Sequence, residues 1–252
     1  EMTFLEHLLE LRYRIIFVLI SFVVLLVVGF YLSDRILQIL LKPIIDLPSA
    51  EIDYKIIVTH FTTIMMKKIS ISFYCSFIFT LPIILYQVVT FFVPAINKKI
   101  TVFKVLCFIS VATMFFMLGF IFSYYIVVPN SIFFFQEISN NFLDLYNKDI
   151  DSSNISTYYI LDNYLDYFIN MSLVCGFIFE LPIFINLLVY MRILNVKNIK
   201  RIRPYLYVVF FVLGAVLTPP DFVSQILIAI PMIFLFELSI LSIYLFYDRE
   251  SR

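Results

Sequence analysis

Two carboxylates near the amino end of the chain have a spacing that suits the binding of a cation. In the stretch EHLLELR, Glu6 and Glu10 are four residues apart, and Arg14 follows at the same interval. This spacing places the three side chains on one stripe of a helix, opposite a leucine-rich face. One interpretation is an amphipathic helix on a membrane surface, with its carboxylates solvated or paired with Arg14. The other is a docking site for a cationic peptide, because a carboxylate accepts two parallel hydrogen bonds from a guanidinium group.

Polar side chains also occur inside long apolar runs. Glu180 lies near the middle of one run, and Gln225 and Glu237 lie near the start and toward the end of another. An ionised side chain at the bilayer centre costs about 2.5–3.5 kcal/mol on insertion scales, so an acid there faces protein, water or a ligand, or keeps its proton. Two interpretations of Glu180 remain open. It is either a functional intramembrane acid or a protonated acid hydrogen-bonded to another helix through Ser172 or Gln87.

The sequence has none of the patterns that build a catalytic centre. Its 4 glycines lie far apart, which excludes a glycine-rich phosphate loop, and its 2 histidines occur without an HExxH motif. No GxSxG motif is found either. We therefore expect no enzymatic activity, no cofactor and no metal site. The formal net charge of +0 provides no basic excess for nucleic-acid phosphates, so no nucleic-acid partner is expected.

The composition is typical of a membrane protein. Hydrophobic residues make up 62% of the 252 residues and charged residues 14%, and the mean hydropathy is +1.00. Soluble domains average about 45–50% apolar and about 25% charged residues. Because 18 basic and 18 acidic residues are too few to cover a soluble exterior, we expect an all-α protein in the lipid bilayer.

Six apolar segments are candidates for transmembrane helices, since about 20 apolar residues cross a hydrocarbon core of about 30 Å. The fifth is short, because Arg203 and Pro204 precede it and the LTPP turn follows it. A short span thins the bilayer around it or draws its polar flanks inward. The predicted spans of the single domain 1–252 are residues 15–32, 69–92, 102–128, 165–191, 205–217 and 222–247.

The distribution of basic residues sets the predicted orientation. With the amino terminus on the inner side, 12 of the 18 lysines and arginines fall on inner segments, as the positive-inside rule requires. Both termini then face the inner side, and residues 129–166 form an acidic outer loop. Pro82, Pro182 and Pro231 each lie in a span that runs from outside to inside. Because proline bends a helix, we expect a concave wall.

Five motifs follow one another along the chain. They are FLEHLLELRYR from residue 4, LYQVVTFFVPAI from residue 85, FELPI from residue 179, RPY from residue 203 and LTPPDFVSQILIAIP from residue 217. In this order they resemble the TatC family, the polytopic subunit of the twin-arginine protein translocase. The resemblance covers nearly the whole chain, including the short last two spans, and implies a cupped bundle of six transmembrane helices.

The resemblance also implies a function and partners. A member of this family is expected to be the core and receptor subunit, which binds twin-arginine signal peptides on the inner face. It moves folded proteins across an energy-transducing membrane with the proton-motive force and without a cofactor. Its expected partners are small single-span subunits of the TatA/TatB type, other copies of itself and the lipid bilayer.

The resemblance assigns roles to particular residues. Glu10 corresponds to the signal-binding acid, and Phe91 and Pro94 lie in the inner-loop segment that recognises the signal peptide. Glu180 corresponds to the intramembrane acid of the concave face. The remaining assignments are Pro43 in the first outer loop, and Asp221 and Gln225 as the polar residues around the last hairpin, Gln225 lying inside the membrane.

One position departs from the family pattern. The family's inner loop carries a second signal-binding acid a few residues after the VPA-like element, and this sequence has Ile100 there, next to Lys98 and Lys99. Two lysines without an acid repel arginines. Our hypothesis is that Glu6 serves as the second carboxylate beside Glu10.

The residues also permit a different class of function, a proton-coupled secondary transporter of a small solute. Such a transporter has a charged midplane site and helices interrupted by glycine or proline, usually within a repeated architecture. Glu180 and the prolines fit this class, whereas the scarcity of glycine and the lack of a clear repeat do not.

The composition also bears on location. The chain has 30 phenylalanines and 17 tyrosines but no tryptophan, a usage typical of A/T-rich codons. Together with the missing inner-loop acid, this favours a homologue encoded in an organelle. We predict the mitochondrial inner membrane, with a plastid thylakoid membrane or a bacterial plasma membrane as the alternatives.

Overall fold

The computed structural model describes residues 4–45, 56–92, 102–147, 159–190, 196–217 and 222–247. Over these residues the protein is almost entirely helical, which confirms the predicted all-α class. The described strands are a parallel pair of two residues each, β1 (Ile56–Ile57) and β2 (Tyr159–Ile160). The described α-helices are α1 (Phe4–Ile45), α2 (Thr63–Phe92), α3 (Val102–Phe122), α4 (Val128–Asn147), α5 (Leu161–Phe179), α6 (Leu181–Tyr190), α7 (Val196–Leu217) and α8 (Phe222–Tyr247).

Several helical segments are suited to a membrane. Their apolar side chains are widely exposed, for example Val27 at 66% and Tyr31 at 88%. An apolar surface of this extent is stable against lipid and unfavourable against water. Among the described residues, five segments are long and apolar enough to cross a bilayer: Leu9–Ile45, Thr63–Phe91, Val105–Phe142, Leu161–Val189 and Phe222–Ile243.

The helices extend beyond the predicted spans. The first span was expected to end at residue 32, but α1 continues to Ile45, and its 42 residues measure about 63 Å. Likewise, α4 occupies much of the predicted acidic outer loop, residues 129–166. The discrepancy arises because counting apolar residues finds the part inside lipid, whereas a helix continues until its backbone hydrogen bonding is interrupted. As a result Pro43, expected in the first outer loop, lies inside the end of α1.

The last two helices differ from each other in length. The fifth span was predicted from residue 205, but α7 begins at Val196 and carries Lys197, Lys200 and Arg201 before its apolar part. These charges explain why α7 is not among the five candidate spans of the described chain. The resemblance implies that the sixth span is short as well, but α8 has 26 residues, which are ample for a bilayer. Helix α7 has 22 residues, and only its apolar part after Arg203 and Pro204 is short.

A π-helical turn at Ser123–Val127 joins α3 to α4. Pro129 is the second residue of α4. A proline in a helix has no N–H to donate, and its ring collides with the carbonyl four residues earlier. A wider turn directly before the proline relieves both problems, since π-turns alter the hydrogen-bond ladder locally. The helical backbone therefore continues from α3 through the π-helical turn into α4 without a break at Pro129.

The chain divides into two compact units, Glu1–Leu40 with His60–Met114, and Leu41–Thr59 with Phe115–Arg252. In the first unit α1 and α2 pack as an antiparallel pair. The backbones approach closely at Gly29, where an added Cβ would lie 3.1 Å from the carbonyl oxygen of Ser72. Nearby, Lys68 Nζ lies 2.6 Å from Asp34 Oδ1. This antiparallel pairing brings the start of α1 to the end of α2.

In the second unit, two helix backbones approach closely where α3 crosses α5. A Cβ on Gly119 would lie 2.5 Å from the carbonyl oxygen of Cys175, so only glycine permits this approach. About one turn away, the hydroxyl oxygens of Ser123, in the π-helical turn after α3, and Ser172, on α5, are 3.2 Å apart and buried. Small residues that let helix backbones approach, joined by a hydroxyl pair, are typical of helix contacts in membranes.

Candidate functional site

Glu10 is part of a hydrogen-bonded network with Arg14 and Gln87. Arg14 donates from Nε and from Nη2 to Glu10 Oε1, at 3.1 and 2.5 Å. It also donates from Nη1 to Gln87 Oε1 at 2.9 Å and to the Gln87 carbonyl oxygen at 3.4 Å. The two side chains of the ion pair keep 17% (Arg14) and 29% (Glu10) of their surface exposed. The structure therefore contains the internal pairing that was one of our two interpretations of the stripe.

An apolar groove between α1 and α2 begins beside this network. It has a volume of about 360 Å³, and Arg14 and Gln87 are the polar side chains in its wall. Phe91, one of the predicted site residues, is also part of the wall. The groove thus joins a carboxylate–guanidinium pair to a surface that accepts apolar groups. The remaining wall residues are Leu11, Ile15, Val18, Leu19, Ile84 and Val88.

Three other predicted residues cannot be located in the same detail. Glu6 lies within the backbone range of α1, one turn before Glu10, and its side chain lies outside the described atoms. Pro94 and Asp221 both lie outside the described residues. Their assigned roles therefore remain predictions.

Glu180 lies at a break between two helices. Helix α5 ends at Phe179 and α6 begins at Leu181, and Pro182 in the first turn of α6 has no N–H to continue the ladder. The carbonyl of Glu180 accepts hydrogen bonds from the amides of Ile183 and Phe184 at 3.1 and 2.9 Å. The helix is interrupted directly before Pro182, whereas α2 and α8 remain continuous through Pro82 and Pro231. The concave wall expected from these prolines stays a prediction.

Among the described residues, the side chain of Glu180 makes no hydrogen bond to Ser172, which pairs with Ser123 instead. Within the described residues, the buried Oε1 atom of Glu180 has no hydrogen-bond partner. A buried acceptor without a partner carries a desolvation penalty and is uncommon in native proteins.

Gln225 connects the two helices of the last hairpin. Its Nε2 donates to the carbonyl oxygen of Phe211 on α7 at 3.1 Å. A Cβ on Gly214 would lie 3.1 Å from the Gln225 carbonyl oxygen, so the backbones are close at the same place. The contact fixes the pairing of α7 with α8, and it gives Gln225 a structural partner inside the predicted membrane region.

A second polar cluster lies toward the other end of this hairpin. Tyr207 donates its hydroxyl to Glu237 Oε1 at 2.5 Å, and Arg203 Nη1 lies 3.3 Å from Glu237 Oε2. On the other side of α8, Asn186 and Ser242 are hydrogen-bonded at 2.9 Å. Sequence reasoning noted Glu237 as an intramembrane acid but did not find its partners. Spacing within one helix cannot identify a contact between two helices.

The chain matches one protein family over most of its length. The sequence profile described as "Sec-independent protein translocase protein (TatC)" matches residues 6–231. The TatC protein of Escherichia coli (strain K12) is 32% identical over 237 residues, which cover 94% of this chain and 86% of that protein. The Rickettsia prowazekii (strain Madrid E) TatC protein is 31% identical over 242 residues, with 95% and 91% coverage. Bacillus subtilis (strain 168) TatCy is 28% identical over 246 residues, with 96% and 88% coverage.

The fold matches a solved structure from the same family. A crystal structure of a twin-arginine translocase receptor, TatC, in DDM superposes with a TM-score of 0.76 at 30% sequence identity. The match covers 94% of this chain and 98% of the crystallised one. These similarities favour the translocase over the small-solute transporter considered above. The chain is an integral multi-pass membrane protein and belongs to the TatC family of Sec-independent protein translocase subunits.

Proposed function

We propose that this chain recognises twin-arginine signal peptides through the amino end of α1, with Glu10 as the primary carboxylate. The observation that carries the proposal is the contact between Glu10 and Arg14. One carboxylate oxygen already accepts two N–H groups from a guanidinium at this position. Charge-assisted bonds of this kind are the strongest that a protein offers to an arginine. A guanidinium from a peptide needs the same geometry.

The groove between α1 and α2 is proposed to bind the apolar residues that follow the arginines. Signal peptides place an apolar region directly after a positively charged one. Here the charged and apolar parts of the site occur in the same order, with Glu10 and Arg14 followed by the walls that contain Ile15 and Phe91. Pro94 is proposed to continue the recognition segment beyond Phe91.

Glu6 is proposed as the second carboxylate. It precedes Glu10 by one helical turn, and this four-residue spacing predicts that the two positions share one stripe of α1. This pair would replace the inner-loop acid for which the chain has Ile100. Two carboxylates on one face match two successive guanidinium groups better than one carboxylate does.

The wider function follows from family membership. We propose that the chain moves folded proteins using the proton-motive force, as a homo-oligomer with single-span subunits of the TatA/TatB type. Glu180 is the proposed intramembrane functional acid and Gln225 a supporting polar residue, with Pro43 and Asp221 shaping the helix ends. The mitochondrial inner membrane is the proposed location on the basis of composition. Co-purification of the tagged chain with a co-expressed TatA/TatB-type subunit tests the partner assignment.

The recognition proposal is tested with a photoreactive twin-arginine peptide and the full chain in lipid nanodiscs. Glu6→Gln and Glu10→Gln are each expected to reduce crosslinking, Glu10→Gln by about tenfold or more, since hydrogen bonds to charged groups contribute about 1.5–3 kcal/mol. Asp34→Asn is the matched control, because it removes a charge from the far part of the same helix. Crosslinking that is unchanged in Glu10→Gln would exclude Glu10 as the receptor carboxylate.

A further inference from the structure

Arg14 occupies the carboxylate that the proposed function assigns to the peptide. Both of its bonds to Glu10 end on one oxygen atom, Oε1, and they come from Nε and Nη2, the side edge of the guanidinium. The pair is partly buried, because only 17% of the Arg14 side chain and 29% of the Glu10 side chain are exposed. A peptide cation therefore meets an ion pair that is already made.

The second set of contacts explains how Arg14 can give up this bond. Its Nη1 is held by two acceptors on α2, Gln87 Oε1 at 2.9 Å and the Gln87 carbonyl oxygen at 3.4 Å. When another guanidinium takes Glu10, Arg14 keeps these acceptors on the neighbouring helix. The exchange then replaces one carboxylate–guanidinium pair by another and leaves no buried cation without hydrogen bonds.

The same exchange is unfavourable for lysine. An ammonium group is a compact, strongly hydrated charge and cannot reproduce the planar two-donor edge of a guanidinium. To reach Glu10, a lysine has to break the two charge-assisted hydrogen bonds from Arg14, and it forms a less directional contact in their place. An incoming arginine can form the same two hydrogen bonds to Glu10 that it displaces.

We propose that Arg14 is a specificity-determining residue, an internal competitor that an arginine peptide can displace from Glu10 and a lysine peptide cannot. This inference rests on the proposed function, and it assigns to Arg14 the discrimination between the two cations. Glu10 supplies the affinity for positive charge. An incoming cation has to bind Glu10 more strongly than Arg14 does. Removing Arg14 should therefore improve the binding of lysine peptides more than that of arginine peptides.

The test measures dissociation constants of two fluorescent peptides that differ only in Arg-Arg against Lys-Lys, using the full chain in nanodiscs. The measured ratio is the dissociation constant of the Lys-Lys peptide divided by that of the Arg-Arg peptide. In Arg14→Gln this ratio is expected to fall by about tenfold, which is the scale of a charge-assisted hydrogen bond. Arg14→Lys keeps the charge and weakens the two-donor contact with Glu10 Oε1, so its ratio should lie between those of the wild type and Arg14→Gln. Arg12→Gln removes a charge two residues away and should leave the ratio unchanged.

Each outcome bears on the inference. A ratio in Arg14→Gln equal to that of the wild type, with arginine-peptide binding retained, overturns the role of Arg14 and leaves the proposed function intact. A wild-type chain that binds neither peptide overturns the proposed function and this inference with it. If Arg14→Gln does not give a folded, monodisperse protein, Arg14→Lys decides. A lowered ratio in Arg14→Lys supports the competitor role, and an unchanged ratio refutes it.

Discussion

The crossing of α3 and α5 provides a quantitative test of the packing, through the substitution Gly119→Ala. The added Cβ would lie 2.5 Å from the Cys175 carbonyl oxygen and 2.9 Å from the Cα of Gly176, whereas ordinary contacts begin at 3.4 Å. Both neighbours are backbone atoms and cannot rotate away. The two helices therefore have to separate by about 0.9 Å, the difference between 3.4 and 2.5 Å.

Three terms set the expected change in the free energy of unfolding. Overpacking of this kind costs about 1–3 kcal/mol. Separation of the helices also stretches the 3.2 Å contact between Ser123 and Ser172, which removes about 1 kcal/mol. Alanine is the better helix former by about 1 kcal/mol. The last two terms offset each other, so the expected loss is about 1–3 kcal/mol.

The measurement is reversible unfolding in mixed detergent micelles, followed by far-ultraviolet circular dichroism. Gly214→Ala is the matched control, because its Cβ would lie 3.1 Å from the Gln225 carbonyl oxygen and requires a shift of only about 0.3 Å. In that variant the gain in helix propensity should balance the contact, and the stability should change by less than about 0.5 kcal/mol. A Gly119→Ala protein as stable as the wild type, or less affected than Gly214→Ala, would refute the packing.

Further predictions concern polar side chains. Glu180→Leu should raise the free energy of unfolding by about 1 kcal/mol, because it removes a buried oxygen without a hydrogen bond in the described structure, while abolishing transport of a reporter cargo. Loss of stability together with transport would instead make Glu180 a structural residue. Tyr207→Phe should lower stability by about 1 kcal/mol through loss of the bond to Glu237, and a double-mutant cycle with Glu237→Gln should show non-additivity. Lys68→Ala should change stability by less than about 1 kcal/mol, since Asp34, its partner, is 67% exposed; a larger loss in the same unfolding assay would contradict this.

Hydrophobic patterns located the apolar helical segments but not most of the helix ends. The predicted span at residues 222–247 coincides with α8, where charged and proline-containing segments lie close to both ends. By contrast, α1 runs past the predicted boundary at residue 32 because Asp34 and Arg35 are compatible with a helix that leaves the membrane. Apolar content reports contact with lipid, and helix formation depends on backbone hydrogen bonding, which polar residues also permit.

The candidate site was only partly predictable for a related reason. The four-residue spacing of Glu10 and Arg14 predicted their contact, because both lie on one helix. The spacing gave no indication that Gln87, far away in the sequence, is the other partner of Arg14. Motif resemblance assigned Phe91 to the proposed site, and in the structure Phe91 lines the groove between α1 and α2. Contacts between helices require the fold, and a single sequence does not encode them in any local pattern.

The most direct test of the peptide-binding site is crosslinking from the groove itself. A photoreactive amino acid at Val88, which lines the groove and is 43% exposed, should crosslink to a twin-arginine peptide in a Glu10-dependent manner. The same amino acid at Phe79, which lies on the same helix outside the groove and is 59% exposed, should not. Equal crosslinking at both positions, or crosslinking at Val88 that persists in Glu10→Gln, would contradict recognition at the start of α1.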